Sequence, residues 1–309
     1  MHWDTTADCT ESFKRGAFAE KRPALFRKDY GSPTLSLPAL NEWFEAPAPG
    51  IAATGGRLSK QFEGLYQLPF PYELVGASNE NLEALHALCE SLVASQDMQD
   101  QIMAGILHST VSGSPGSRFF QLFAPLKLLH KALEFNQVRR ASNCSTVELY
   151  IAQSLLADLP AELQRDLPTP KLVLEAGKGD VYSSSIWLGT EPTYTPLHRD
   201  PNPNLFCQLH RQKVVRLLPP QLGEQLYLQV QVQLRLQGSS RIRGTEMMEG
   251  EERKVLHEAV WQPRKSIEEM CEAELDAGDA LFIPEGWWHS VKSKGTVGDL
   301  NGSVNWWFR

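Results

Sequence analysis

His198 and Asp200, two positions apart in "PLHRDPNPNLF", and His289 in "GDALFIPEGWWHSV" are the residues of this chain best suited to chemistry. On a strand, side chains at i and i+2 leave the same face, so His198 and Asp200 can converge on one point. The pair alone is a weak signal, because such triplets occur often without a ligand. His289 supplies a third donor, at the turn that follows an apolar strand begun at Gly278 and Asp279. Two imidazoles and one carboxylate are what a non-haem Fe(II) centre needs. They hold one face of an octahedron and leave three positions for a co-substrate and O2.

Elements that could position these groups are legible in the spacing of apolar residues. Residues 1–76 are rich in Pro, Gly and Ser with isolated aromatics, and read as an irregular wrap of short elements. Ser78 reads as the N-cap of a helix carrying Leu82, Leu85, Leu88 and Leu92 at helical intervals. Further helices are expected over 125–136 and 146–156, so the first half is expected to be mainly helical. From Lys171 the period changes. Strands are expected over 171–176, 180–188, 205–218, 280–284 and 303–308, with Pro219 and Pro220 ending the third. Residues 226–236 alternate apolar and polar, as a half-buried strand does, yet Leu226, Val230 and Leu234 also fall four apart and leave a helix open. A helix is expected over 245–261, and the polar run 238–250 is the expected mobile loop. Helices first and strands later suggest an α+β layout with a β-sandwich or barrel as the C-terminal core.

Composition bounds the function. The chain has 309 residues, 42% of them hydrophobic, enough for one large or two modest domains. A net charge of −7 provides no global basic field for nucleic acid or anionic membranes, and the Arg139–Arg140 and Arg241–Arg243 clusters read as solvated loop charge. Five dispersed cysteines without a C-x-x-C pair argue against a disulfide framework and a zinc ribbon, and point to a reducing compartment. "MHWDTTADCTESF" carries no secretory h-region, and no apolar run reaches membrane-spanning length. An intracellular protein of the cytoplasm or nucleus is expected.

Residues 195–220, "TPLHRDPNPNLFCQLHRQKVVRLLPP", resemble the first metal-binding stretch of the JmjC oxygenases. The nearest likeness is to the cupin-like hydroxylase branch that includes the asparaginyl hydroxylase of hypoxia-inducible factor. Residues 278–307, "GDALFIPEGWWHSVKSKGTVGDLNGSVNWW", resemble that branch's second metal-binding stretch. The likeness rests on the H-x-D, the lysine fifteen residues after its histidine, the double proline, the GD…IP…WWH block and the following VNWW, all in order. It covers most of 171–309, while the first half matches loosely, through its helical character and "ELYIAQSLL".

The resemblance implies a double-stranded β-helix (jelly-roll or cupin) core over 171–309, with an insert at about 221–275, and a mainly helical region over 1–170 packed on it. It implies His198, Asp200 and His289 as iron ligands and Lys213 as the cation for the distal carboxylate of 2-oxoglutarate. Thr195 and Tyr150 would reach that same carboxylate, and Asn204 and Asn305 would lie beside the metal, bonding co-substrate or oxygen. A buried dicarboxylate needs such a cation, since an unpaired buried charge is very costly. Trp287, Trp288, Trp306 and Trp307 read as core packing and pocket wall, Trp187 as either, and the remaining histidines as structural.

The implied reaction consumes Fe(II)-bound 2-oxoglutarate and O2, releases succinate and CO2, and hydroxylates a C–H bond. A protein-side-chain hydroxylase is the leading expectation, with a protein or peptide as partner. A JmjC histone or protein lysine demethylase is the alternative, and a non-catalytic scaffold or ligand-sensing module on the same fold a third reading. The 221–275 insert is expected to border the substrate groove. Some relatives dimerise through helices after the last motif; up to Arg309 none follows, so a monomer, an interface elsewhere, or a sequence that is cut short at Arg309 is expected.

Overall fold

In the computed structural model, residues 9–45, 56–76, 78–113, 116–235, 250–262 and 267–309 are described. The expected mobile loop at 238–249, the Arg241–Arg243 cluster and His2 lie outside them.

Two antiparallel sheets carry the site. The strands are β1 Ala24–Phe26, β2 Pro69–Val75, β3 Phe119–Pro125, β4 Leu149–Leu155, β5 Val181–Thr190, β6 Tyr194–Arg199, β7 Asn204–His210, β8 Lys213–Leu218, β9 Cys271–Leu275, β10 Ala280–Ile283, β11 Trp288–Ser293 and β12 Leu300–Phe308. The large sheet runs β1-β10-β7-β12-β5-β4-β2-β3 and the small one β6-β11-β8-β9. In the large sheet β12 pairs with β5 on one side and β7 on the other, and every residue of β12 is buried. A strand covered on both faces has no polar side to show, which is why "VNWWF" reads as a nearly unbroken apolar run.

Three long helices, Asn79–Val93, Met98–Ser112 and Lys127–Ala141, pack with the first half of the chain. Ser78 caps the first as expected: its hydroxyl accepts from the Asn81 amide, and Asn81 Oδ1 accepts from the Ser78 amide. Leu85, Leu88 and Leu92 of this helix are buried. Met98–Ser112 has no counterpart among the expected helices, its buried stripe being only Asp100, Met103, Ala104 and Leu107.

Four strands accompany these helices, so the helical first half also builds much of the large sheet, and β4 pairs directly with β5 across residue 170. The helix expected over 146–156 is strand β4. Its residues are spaced for either period, and pairing on both sides, with β2 and β5, satisfies its backbone as a strand. The strand expected over 171–176 is a short helix, Lys171–Ala176, begun by Pro170 at φ −58° and seated through Leu172, Val173 and Ala176. Residues 226–234 belong to the helix Pro220–Leu234, with Pro220 in its first turn, where the missing N–H costs nothing. The glutamines that mimicked a strand's polar face are good helix formers. Residues 205–218 are two strands in different sheets, β7 in the large one and β8 in the small one, joined by a turn at Arg211 with φ +62°.

Helices Pro220–Leu234 and Gly250–Trp261 lie on the small sheet, around Leu197, Leu218 and Trp288. Contact there is close: a Cβ on Gly223 would fall 2.2 Å from the Trp288 ring. Between the sheets a second apolar cluster joins Phe206, Leu281 and Ile283 to Val215, Leu217 and Val291. Among the described residues, no helix is long and apolar enough to cross a membrane.

Candidate metal centre and its cavity

β6 is an edge strand, which is where Pro196 can be tolerated in mid-strand. It pairs with β11 so that His198 stands opposite His289, their rings 4.2 Å apart between centroids. The pairing slips between His289 and Val291, a bulge that breaks the ladder beside the site. Asp200 follows one residue after β6 ends. His198 Nε2 lies 3.7 Å from Asp200 Oδ1, and His289 Nε2 lies 3.6 Å from Asp200 Oδ2. One donor atom from each of the three residues falls within 4.8 Å of the others.

The hydrogen bonds around the triad determine which atoms are free. His198 Nδ1 lies 2.8 Å from the Pro196 carbonyl and His289 Nδ1 3.3 Å from that of Trp287. A carbonyl only accepts, so each Nδ1 carries the proton and each Nε2 turns a lone pair inward. Asp200 Oδ2 accepts from Asn204 Nδ2 at 3.1 Å and from Trp307 Nε1 at 2.8 Å. Burial pushes the Asp200 carboxyl up, but His289, His198 and these two hydrogen bonds together hold it below the usual carboxylate range. Two imidazoles with Nε2 turned inward and a carboxylate, oriented by their own outer hydrogen bonds, fit a divalent iron with open positions.

The triad opens into a cavity of about 370 Å3, within the range of small-molecule sites. All eight residues singled out from the sequence line it: His198, Asp200, His289, Lys213, Thr195, Tyr150, Asn204 and Asn305. Lys213 opens β8 and is 1% exposed. Its amine donates to Ser303 Oγ at 2.9 Å and to Tyr150 Oη at 3.3 Å, and among the described residues it has no ion-pair partner. Burial pushes its pKa down to about 7, Glu191 opposing the shift from farther away. Tyr150 reaches the amine from strand β4, not from a helix. Asn305 Oδ1 accepts from Trp187 Nε1, and Asn305 Nδ2 donates to Asn204 Oδ1 at 3.3 Å. The two asparagines therefore form a chain of amides from Trp187 to Asp200.

Two roles escaped the sequence reading. Trp307, taken as packing and wall, holds Asp200; Ser303 holds Lys213. Both signals were present: Ser303, Asn305 and Trp307 recur every second residue of β12 and so share one face. No described residue of 221–275 lines the cavity. What is described of this insert covers the small sheet instead of bordering the pocket. His210 is structural as expected, stacked 4.4 Å over Phe44 with burial pushing its pKa down to about 4.

Residues 78–309 match the family model described as a cupin-like domain. Lysine-specific demethylase JMJ30 of Arabidopsis thaliana is 31% identical over 176 residues, 57% of this chain and 37% of that protein. Lysine-specific demethylase 8 of Danio rerio is 31% identical over 160 residues, 52% and 36% of the two chains. JmjC domain-containing protein D of Dictyostelium discoideum is 30% identical over 154 residues, 47% and 32%. The matched stretches span about a third of the length of these curated relatives.

Proposed function

Because this chain belongs to the cupin-like domain family, we propose that it is an Fe(II)- and 2-oxoglutarate-dependent oxygenase acting on a side chain of a protein or peptide. The observation that carries the reading is Lys213, a buried amine that has no ion-pair partner among the described residues and lies in the same cavity as the triad. Such a group is costly to keep unless it meets an anion. His198, Asp200 and His289 would hold the iron. Lys213, Tyr150 and Thr195 would take the distal carboxylate of 2-oxoglutarate. Bound there, iron would supply the redox chemistry that couples decarboxylation of 2-oxoglutarate by O2 to hydroxylation of a C–H bond. The chain's own part is to fix Asp200 through Trp307 and Asn204, and to wall the cavity against water with Trp187 and Phe206.

Removal of an N-methyl group from lysine is the reaction we place first. Hydroxylation of the methyl carbon leaves a carbinolamine that breaks into formaldehyde and the free amine. The relatives named as lysine demethylases support it, and so do the aromatic rings of Tyr182, Trp187 and Trp307 on the cavity wall, which suit a methylammonium group. Stable hydroxylation, as in the asparaginyl hydroxylase branch, is the second reading. It is favoured by the neutral amides Gln153 and Asn202 in the wall and, among the described residues, by the lack of any lining carboxylate besides Asp200. We further read β5–β12, the strands of 171–309, as a double-stranded β-helix whose large sheet is extended by β1–β4 of 1–170, and place its action inside the cell.

The test is anaerobic absorption on adding Fe(II) and then 2-oxoglutarate, with Lys213→Met as control. A visible charge-transfer band that weakens in the variant is expected; no band from folded protein would overturn the oxygenase reading. Mass spectrometry of methyl-lysine and unmodified peptides then separates the two reactions, by loss of a methylene or gain of an oxygen.

A further inference from the structure

A second cavity, of about 810 Å3, lies on the large sheet beside the first and shares Gln153 with it. Gln153 sits at φ +56°, where β4 slips register against β5 between Ile151 and Ser154. A residue other than glycine is strained in the left-handed region, and bulges that re-aim a side chain concentrate beside functional sites. Here the bulge sets Gln153 at the boundary of the two cavities. The same sheet face runs on without a break: Tyr150 of the metal cavity pairs with Glu73, and Glu73 with Gln121.

The lining has a definite chemistry. Phe123 is 71% exposed and Leu155 41%, two large apolar groups on an open face. Among the described residues, Glu73 and Asp158 are the charged ones of the lining, which contains no lysine, arginine or histidine. A groove that is apolar, acidic and continuous with a candidate active site fits one occupant.

We propose that this groove holds the substrate polypeptide next to the modified residue, as an extended segment with a basic side chain for Glu73 and Asp158 and an apolar one for Phe123 and Leu155. Gln153 marks the point where the segment passes from groove to metal cavity. The proposal rests on the oxygenase reading and names the class of its substrate.

The probes are two fluorescein-labelled dodecapeptides, one alternating Lys and Leu, the other Glu and Leu, titrated by anisotropy into the full chain at physiological salt. The parent protein is expected to bind the Lys/Leu peptide and not the Glu/Leu peptide. Phe123→Ala should weaken binding about tenfold, and Asp158→Lys should both weaken it and admit the Glu/Leu peptide. Glu83→Lys, an equal charge change on an exposed helix position outside the groove, should leave the preference unaltered. Equal binding by parent and Phe123→Ala, no change of preference in Asp158→Lys, or the same loss in Glu83→Lys would each overturn the groove. The Fe(II)–2-oxoglutarate band, recorded on the same samples, tells failure of the groove from failure of the metal site.

Discussion

Replacing Lys213 with methionine should make the ligand-free protein more stable while removing its hold on co-substrate. Burial lowers the Lys213 pKa from 10.5 to about 7. That is about 3.5 units at ~1.4 kcal/mol each, or a ceiling of about 5 kcal/mol for keeping the charge buried at neutral pH. Losing the bonds to Ser303 and Tyr150 subtracts about 1 kcal/mol each, so a net gain of about 1–3 kcal/mol is expected, within what such replacements give elsewhere. The gain must depend on pH with a definite sign. Between about 7 and 10.5 the unfolded chain holds a proton on this lysine that the native protein lacks, so native stability rises with pH across that window. The advantage of Lys213→Met is therefore largest at and below pH ~7 and shrinks toward pH ~10. Urea denaturation of both proteins across that range measures it, provided the m-value is unchanged. With Fe(II) and saturating 2-oxoglutarate under anaerobic conditions the order should reverse, because only the lysine form gains the binding free energy, about 4.1 kcal/mol at a thousand times Kd. A variant less stable at neutral pH, or a difference that stays flat with pH, would refute the claim that burial of the Lys213 amine costs the ligand-free protein stability.

Binding of 2-oxoglutarate above pH ~7 should take up close to one proton, as the lysine recharges against the incoming carboxylate; calorimetry in buffers of different ionisation heat reads the number. Trp307→Phe removes the 2.8 Å donor to Asp200 and should weaken Fe(II) affinity about 10–100-fold, as measured by anaerobic metal titration, with little loss of fold stability. Gly223→Ala places a methyl 2.2 Å from the Trp288 ring, one residue from His289; a loss of about 1–3 kcal/mol in urea unfolding is expected.

Much of the candidate metal site was legible because its information is local. H-x-D on a strand and a histidine after the next turn put donors at spacings that backbone geometry alone converts into a shared face, and the structure gathers all three with Lys213 in one cavity. The helix capped by Ser78 was legible for the same reason: cap, stripe and period all lie within a few turns. Where sequence reading failed, the deciding partners were distant. Residues 146–156 could satisfy either period, and two neighbouring strands made them β4, which is what carries Tyr150 to Lys213. Residues 226–234 could alternate as a strand or pack as a helix, and Trp288 of the small sheet settled it by receiving Tyr227 at 5.1 Å.

By itself, then, the sequence determined the kinds of donor, their spacing along the chain and the family whose motifs they follow. Only the tertiary structure decided which lone pairs face inward, that Trp307 and Asn204 hold the same oxygen of Asp200, and that Lys213 is sealed from water. Those properties depend on carbonyls, indoles and hydroxyls that come from other strands, and no local pattern encodes which strand will arrive.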